Sequence, residues 1–171
     1  MFEPLEHWRE FFLLVGTAAA ALVALLFVAA SVAVGYLTPE RASATRTYMS
    51  PVVVHFTAVL VACALGLVPS HTRISFGLLL AASALGAGAY STMILVKVLK
   101  RGTVDWADKF DYGIAPVIGY VAALVAAGMF FAGAHRAPEV LAGAIMLLLI
   151  VNIRNAWDLM LFFATKQLDS S

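Results

Sequence analysis

FFLLVGTAAAALVALLFVAASVAV, the stretch from Phe11 to Val34, contains no charged side chain, and its only hydroxyls are those of Thr17 and Ser31. A hydrocarbon core of about 30 Å takes about 20 apolar residues per crossing helix, so this run predicts a helix through a bilayer. Four more runs of the same kind follow, at 51–68, 74–98, 113–134 and 138–163. They are continuous rather than alternating, which excludes the short two-faced strands of an outer-membrane barrel. The expected fold is an all-α integral membrane protein, a bundle of five transmembrane helices forming one domain over residues 1–171.

Composition agrees. Of the 171 residues 63% are apolar and 12% charged, the mean hydropathy is +0.94, and the formal net charge is +1. A water-soluble surface needs roughly twice that share of charge. One cysteine, Cys63, excludes a disulfide scaffold, and the near-neutral charge gives no footprint for nucleic acid. The expected surroundings are the lipid bilayer and either a second copy of the chain or a membrane partner subunit.

Boundaries and orientation come from the polar residues between the runs. Ser50 before Pro51, and Ala137 before Pro138 and Glu139, read as helix starts, because proline at the first helical position gives up an N–H that would be unpaired anyway. The first run is longer than a signal-peptide core and follows Glu3, Glu6, Arg9 and Glu10, so it is expected to be retained. Five crossings put Arg9, Arg73 and Arg136 on one side and Arg41, Arg46, Lys97, Lys100, Arg101, Lys109 and Lys166 on the other. Basic residues favour the cytoplasmic side. This predicts an inner (cytoplasmic) membrane protein with its N-terminus outside and its C-terminus in the cytoplasm. Between the third and fourth runs, Lys100 to Tyr112 reads as a short interfacial helix anchored by Trp106 and Phe110. On it Asp105, Asp108 and Asp111 form a solvated acidic face without the glycine and terminal glutamate of a calcium loop.

Polar groups inside a span are the informative exceptions, since each loses water and must find a partner. The fifth run holds four of them, Asn152, Arg154, Asn155 and Asp158, over roughly half the helix circumference, with Trp157 outside that arc. Arg154 and Asp158 stand four apart and are expected to pair. The second run carries His55 above a row of small residues, Ala58, Ala62 and Gly66. The third presents Ser83, Gly86, Ala87 and Tyr90 on one face, and the fourth Pro116, Tyr120, Ala123 and Ala127, with Pro116 placed to free a backbone carbonyl. At 1.5 Å rise per residue, His55, Tyr90, Tyr120, Arg154 and Asp158 fall in one slab on the cytoplasmic side of centre.

Two readings of that slab stand side by side. In one, Asp158 accepts a cation or proton, Arg154 tunes it, and Asn152, Asn155, His55, Tyr90 and Tyr120 complete a ligand or ion site, which makes the protein a transporter or channel. In the other, the cluster is interhelical glue in a non-catalytic scaffold or accessory subunit. His7, His71 and His135 come from separate segments without metal-site spacing. A single intramembrane histidine argues against haem, and Lys97 lies too near a helix end for a Schiff base, so no cofactor or metal is expected; no catalytic motif is visible, and nothing in the sequence argues positively for an enzyme.

Overall fold

A computed structural model describes the backbone of residues 3–34, 39–100 and 109–168, and the side chains of residues 5–31, 50–100 and 109–161. Every regular element in it is a helix: α1 (Glu3–Glu6), α2 (Arg9–Val34), α3 (Pro39–Leu67), α4 (Arg73–Lys100), α5 (Ala115–Phe131), which continues from a π-turn at Phe110–Ile114, and α6 (Ala137–Leu168). Five stretches are long and apolar enough to cross a membrane: Arg9–Ser31, Ser50–Leu67, Arg73–Lys100, Phe110–Phe131 and Ala137–Leu161. This is the architecture of a polytopic membrane protein.

Several ends differ from the sequence expectation. Ser50–Pro51 does not start a helix; α3 begins eleven residues earlier, at Pro39, and Pro51 sits inside it. One missing backbone hydrogen bond is affordable in a helix whose remaining bonds persist, so Ser50–Pro51 marks where α3 enters its apolar stretch, not where it begins. Likewise α6 runs past its apolar stretch, to Leu168. The expected interfacial helix lies for the most part outside the described residues. Residues 101–108, including Trp106, Asp105 and Asp108, lie outside the described residues, and Phe110 and Asp111 belong to the π-turn that leads directly into α5.

Local chemistry sets the remaining ends. Thr72 and Ser75 cap α4 reciprocally, the Ser75 N–H donating to Thr72 Oγ1 at 3.2 Å and the Thr72 N–H to Ser75 Oγ at 2.9 Å. A Schellman motif ends α5: the Gly133 N–H donates to the Phe130 carbonyl at 3.1 Å and the Ala134 N–H to the Met129 carbonyl at 2.9 Å. It requires a left-handed residue, and Gly133, at φ 69°, supplies it.

Helices α3, α4, α5 and α6 pack in a ring, each against the next and α6 back against α3, while α2 lies outside it against α3. Lipid tails are as apolar as the side chains, so close van der Waals fit rather than water exclusion holds such a ring together. Small residues provide the fit. A Cβ on Gly119 of α5 would lie 2.7 Å from Leu148 of α6, and one on Gly66 of α3 would lie 2.9 Å from Phe12 of α2. On α4 the buried row is Phe76, Gly77, Leu80, Ala84 and Ser91, not the expected Ser83–Tyr90 face, of which Gly86 is exposed with open space around it. At the end of the ring near the α5–α6 turn, Phe76 and Phe130 meet edge to face at 4.8 Å.

Candidate functional site

The polar end of the ring is built around the π-turn. The Ala115 N–H donates to the Phe110 carbonyl, five residues back, and in that register the carbonyl of Asp111 would take its donor from residue 116. That residue is Pro116, which has no N–H. The carbonyl freed by Pro116 is therefore that of Asp111, and Asn155 Nδ2 of α6 donates to it at 3.1 Å. The Tyr112 hydroxyl returns a hydrogen bond to the Asn155 backbone carbonyl at 3.2 Å. One turn deeper, Asn152 Nδ2 donates to the Val52 carbonyl of α3 at 2.8 Å. The two asparagines thus tie α6 to α5 and to α3.

Because a carbonyl only accepts, these contacts fix which end of each amide is nitrogen. Asn152 Oδ1 and Asn155 Oδ1 are then both acceptors, both buried, and both without a donor among the described residues; the buried Ser91 hydroxyl on α4 has no hydrogen-bond partner among them either. Leaving a buried polar atom unpaired costs on the order of 1–3 kcal/mol.

Around these atoms the arc on α6 divides. At about 100° per residue, Asn152, Asn155, Asp158 and Arg154 span about 160°, wider than the strip that faces the ring. The two asparagines are buried, while Asp158 is exposed and the Arg154 side chain is 62% exposed. The expected Arg154–Asp158 pair is not formed. Arg154 Nε instead meets Asp111 Oδ2 at 3.0 Å, and Asp111 is buried rather than part of a solvated face. An arginine whose partner stands on the next helix is held across the seam, an arrangement that i, i+4 spacing alone does not reveal.

Deeper in the ring, His55 Nδ1 of α3 and the Tyr120 hydroxyl of α5 are hydrogen-bonded at 2.7 Å, both side chains buried. The tautomer decides which of the two donates. Tyr90 does not join them: it is half-buried with no hydrogen-bond partner among the described residues, and it is Gly88 whose added Cβ would lie 3.2 Å from Tyr120. Beyond the His55–Tyr120 pair, a cavity of about 20 Å³ lies inside the ring, lined by Ala58, Ala62, Ser83, Tyr120, Ala144 and Leu148 among others. That is room for about one water molecule.

The structure therefore pairs His55 with Tyr120, buries Asn152 and Asn155 against backbone carbonyls of α3 and of the π-turn, and leaves Arg154 and Asp158 exposed. Sequence reasoning missed Asp111, Tyr112 and Ser91. The signal for Asp111 was Pro116 five residues on, the spacing at which a π-turn and a proline leave the same carbonyl bare. No group of three or more His, Cys, Asp or Glu side chains that could hold a metal ion occurs among the described residues. Neither a protein-family model nor a curated protein nor a solved structure matches this chain.

Proposed function

We propose that the protein binds and passes a proton or a small monovalent cation through the interior of the α3–α6 ring, entering at the end that carries Asn152 and Asn155. The observation that carries this reading is the set of buried oxygens without a hydrogen-bond partner among the described residues, Asn152 Oδ1, Asn155 Oδ1 and Ser91 Oγ. Asn152 reaches the Val52 carbonyl, one turn of α3 before His55, Ser91 follows by one turn the Gly88 that packs on Tyr120, and Tyr120 lines the small cavity. Neutral oxygens of this kind replace the hydration shell of a monovalent ion, and a histidine bonded to a phenol is a proton-relay pair. Asp158, exposed on the outer side of α6, is replaced in this role by the two asparagines. The proposed setting is the inner membrane, with the basic end in the cytoplasm and a second copy completing the path.

Reconstitution of the pure protein into liposomes, with cation and proton flux recorded under an imposed potential, tests it. Flux is expected from wild type and from Gly143→Ala, where an added Cβ meets nothing within 4 Å. Flux is expected to fall to background in folded His55→Phe and Asn152→Leu. Equal flux in those two variants would overturn the assignment.

A second reading, a non-catalytic scaffold or accessory subunit, is favoured by α4, of whose span only 17% is buried and whose outer side exposes Ile74, Leu78, Leu85, Met93 and Leu99. A stoichiometric protein partner retained in mild detergent, together with no flux from folded wild type, would select it.

A further inference from the structure

We propose that the outward face of α6 holds the headgroup of a zwitterionic aminophospholipid, with Arg154 binding its phosphate and Asp158 its ammonium. The stripe on which these residues stand is otherwise apolar and open: Ile150, Ile153, Trp157 and Leu161 are exposed by 58%, 43%, 64% and 47%. Such a stripe on a membrane-spanning helix faces lipid, and charges set into it must meet polar groups at the membrane edge. Their depth fits that edge. Arg154 touches Asp111, the second residue of the Phe110–Phe131 span, and on its own Ala137–Leu161 span it stands seven residues, about 10 Å, inside the end, with Asp158 about 5 Å inside, so both lie in the last two turns before the membrane edge, within reach of a long side chain. An exposed tryptophan between the two charges is the side chain expected at headgroup level.

The chemistry selects the headgroup. Asp111 meets the guanidinium at Nε, while the Arg154 side chain stays 62% exposed, so N–H donors of its planar fork can reach phosphate oxygens. Asp158 has no ion-pair partner among the described residues and follows Arg154 by four residues, a rise of about 6 Å toward the membrane edge. From the bilayer outward, the order is cation and then anion. A lipid phosphate followed by a terminal ammonium presents the complementary order. A lipid carrying only the phosphate would set a net negative headgroup beside the Asp158 carboxylate. A trimethylated ammonium has no N–H to donate to that carboxylate.

The test is lipid retention. The protein is exchanged into bilayers of equal parts phosphatidylethanolamine, phosphatidylglycerol and phosphatidylcholine, re-extracted in mild detergent, and its bound lipids are counted by native mass spectrometry. Wild type is expected to retain phosphatidylethanolamine several-fold over the other two. Asp158→Asn, a change at an exposed side chain, is expected to keep bound phospholipid but lose the preference over phosphatidylglycerol, and Arg154→Gln to lose retention of both. Equal retention of the three lipids by wild type, or an unchanged preference in Asp158→Asn, would overturn the proposal. The second result holds even if Arg154→Gln does not fold.

Discussion

Asn155 and Asn152 look alike in the sequence, yet their amides have unequal work. The Val52 carbonyl that Asn152 reaches lies inside continuous α3 and also takes the backbone donor one turn on, so the asparagine supplies a second hydrogen bond. The Asp111 carbonyl has Pro116 where its donor would be, and Asn155 is its donor. Replacing either residue by leucine also removes one unpaired Oδ1, a gain that is common to both and cancels in the comparison. Asn155→Leu should therefore destabilise the fold by about 1–2 kcal/mol and Asn152→Leu by about 0.5 kcal/mol, within the range of polar contacts between membrane helices. Unfolding titrations in mixed micelles check the order. Equal losses would mean that the π-turn finds another donor.

At the scale of the element, Pro116 and the π-turn form one device with Asn155. Restoring an N–H by Pro116→Ala lets the Asp111 carbonyl find a backbone donor, from residue 116 if the turn stays π or from Ala115 if it relaxes to α. In that background Asn155→Leu should cost about 1 kcal/mol less than in wild type, so the double-mutant cycle should show coupling, whereas Pro116→Ala with Asn152→Leu should be additive. The elements also show what sequence reading captures and what it leaves out. Five spans were legible because each is a long run that only a bilayer explains, and the inward faces of α3 and α5 were legible because His55, Ala62, Gly66, Pro116, Tyr120, Ala123 and Ala127 share one side of their helices and are buried. The rotation of α4 was not: almost every face of it is apolar or small, so Ser83–Tyr90 and Leu80–Ser91 look equally fit to pack. The ends of α3 and α6 were misplaced because hydropathy reports where a helix leaves the membrane, and both helices continue past that point. Nor was the partner of Arg154 legible, since it stands on another helix, at a turn whose register depends on a proline five residues away.

For the whole molecule, interhelical contacts decide which ends lie together, independently of any membrane. Leu95 of α4 faces Gly113, Arg154 meets Asp111, and Asn152 reaches Val52, so the start of the α3 span, the end of α4, the π-turn and the part of α6 from Asn152 onward share one end of the bundle. Phe12 against Gly66, and Arg73 against Gly133, mark the other end. Among the described residues the first end carries Lys97, Lys100 and Lys109 and the second Arg9, Arg73 and Arg136, and the crossing count expects Arg41, Arg46, Arg101 and Lys166 on the first side as well. Seven against three is the asymmetry behind the proposed orientation, since short segments rich in lysine and arginine favour the cytoplasmic side. Cysteine labelling gives a direct test, because the one native thiol, Cys63, is buried against α2 and can be removed as Cys63→Ala. In that background His7→Cys should react with a membrane-impermeant maleimide on intact cells, and Lys97→Cys only after the membrane is opened. The reverse pattern would place Asn152 and Asn155 toward the outside and would turn the mouth of the proposed path to face the opposite compartment.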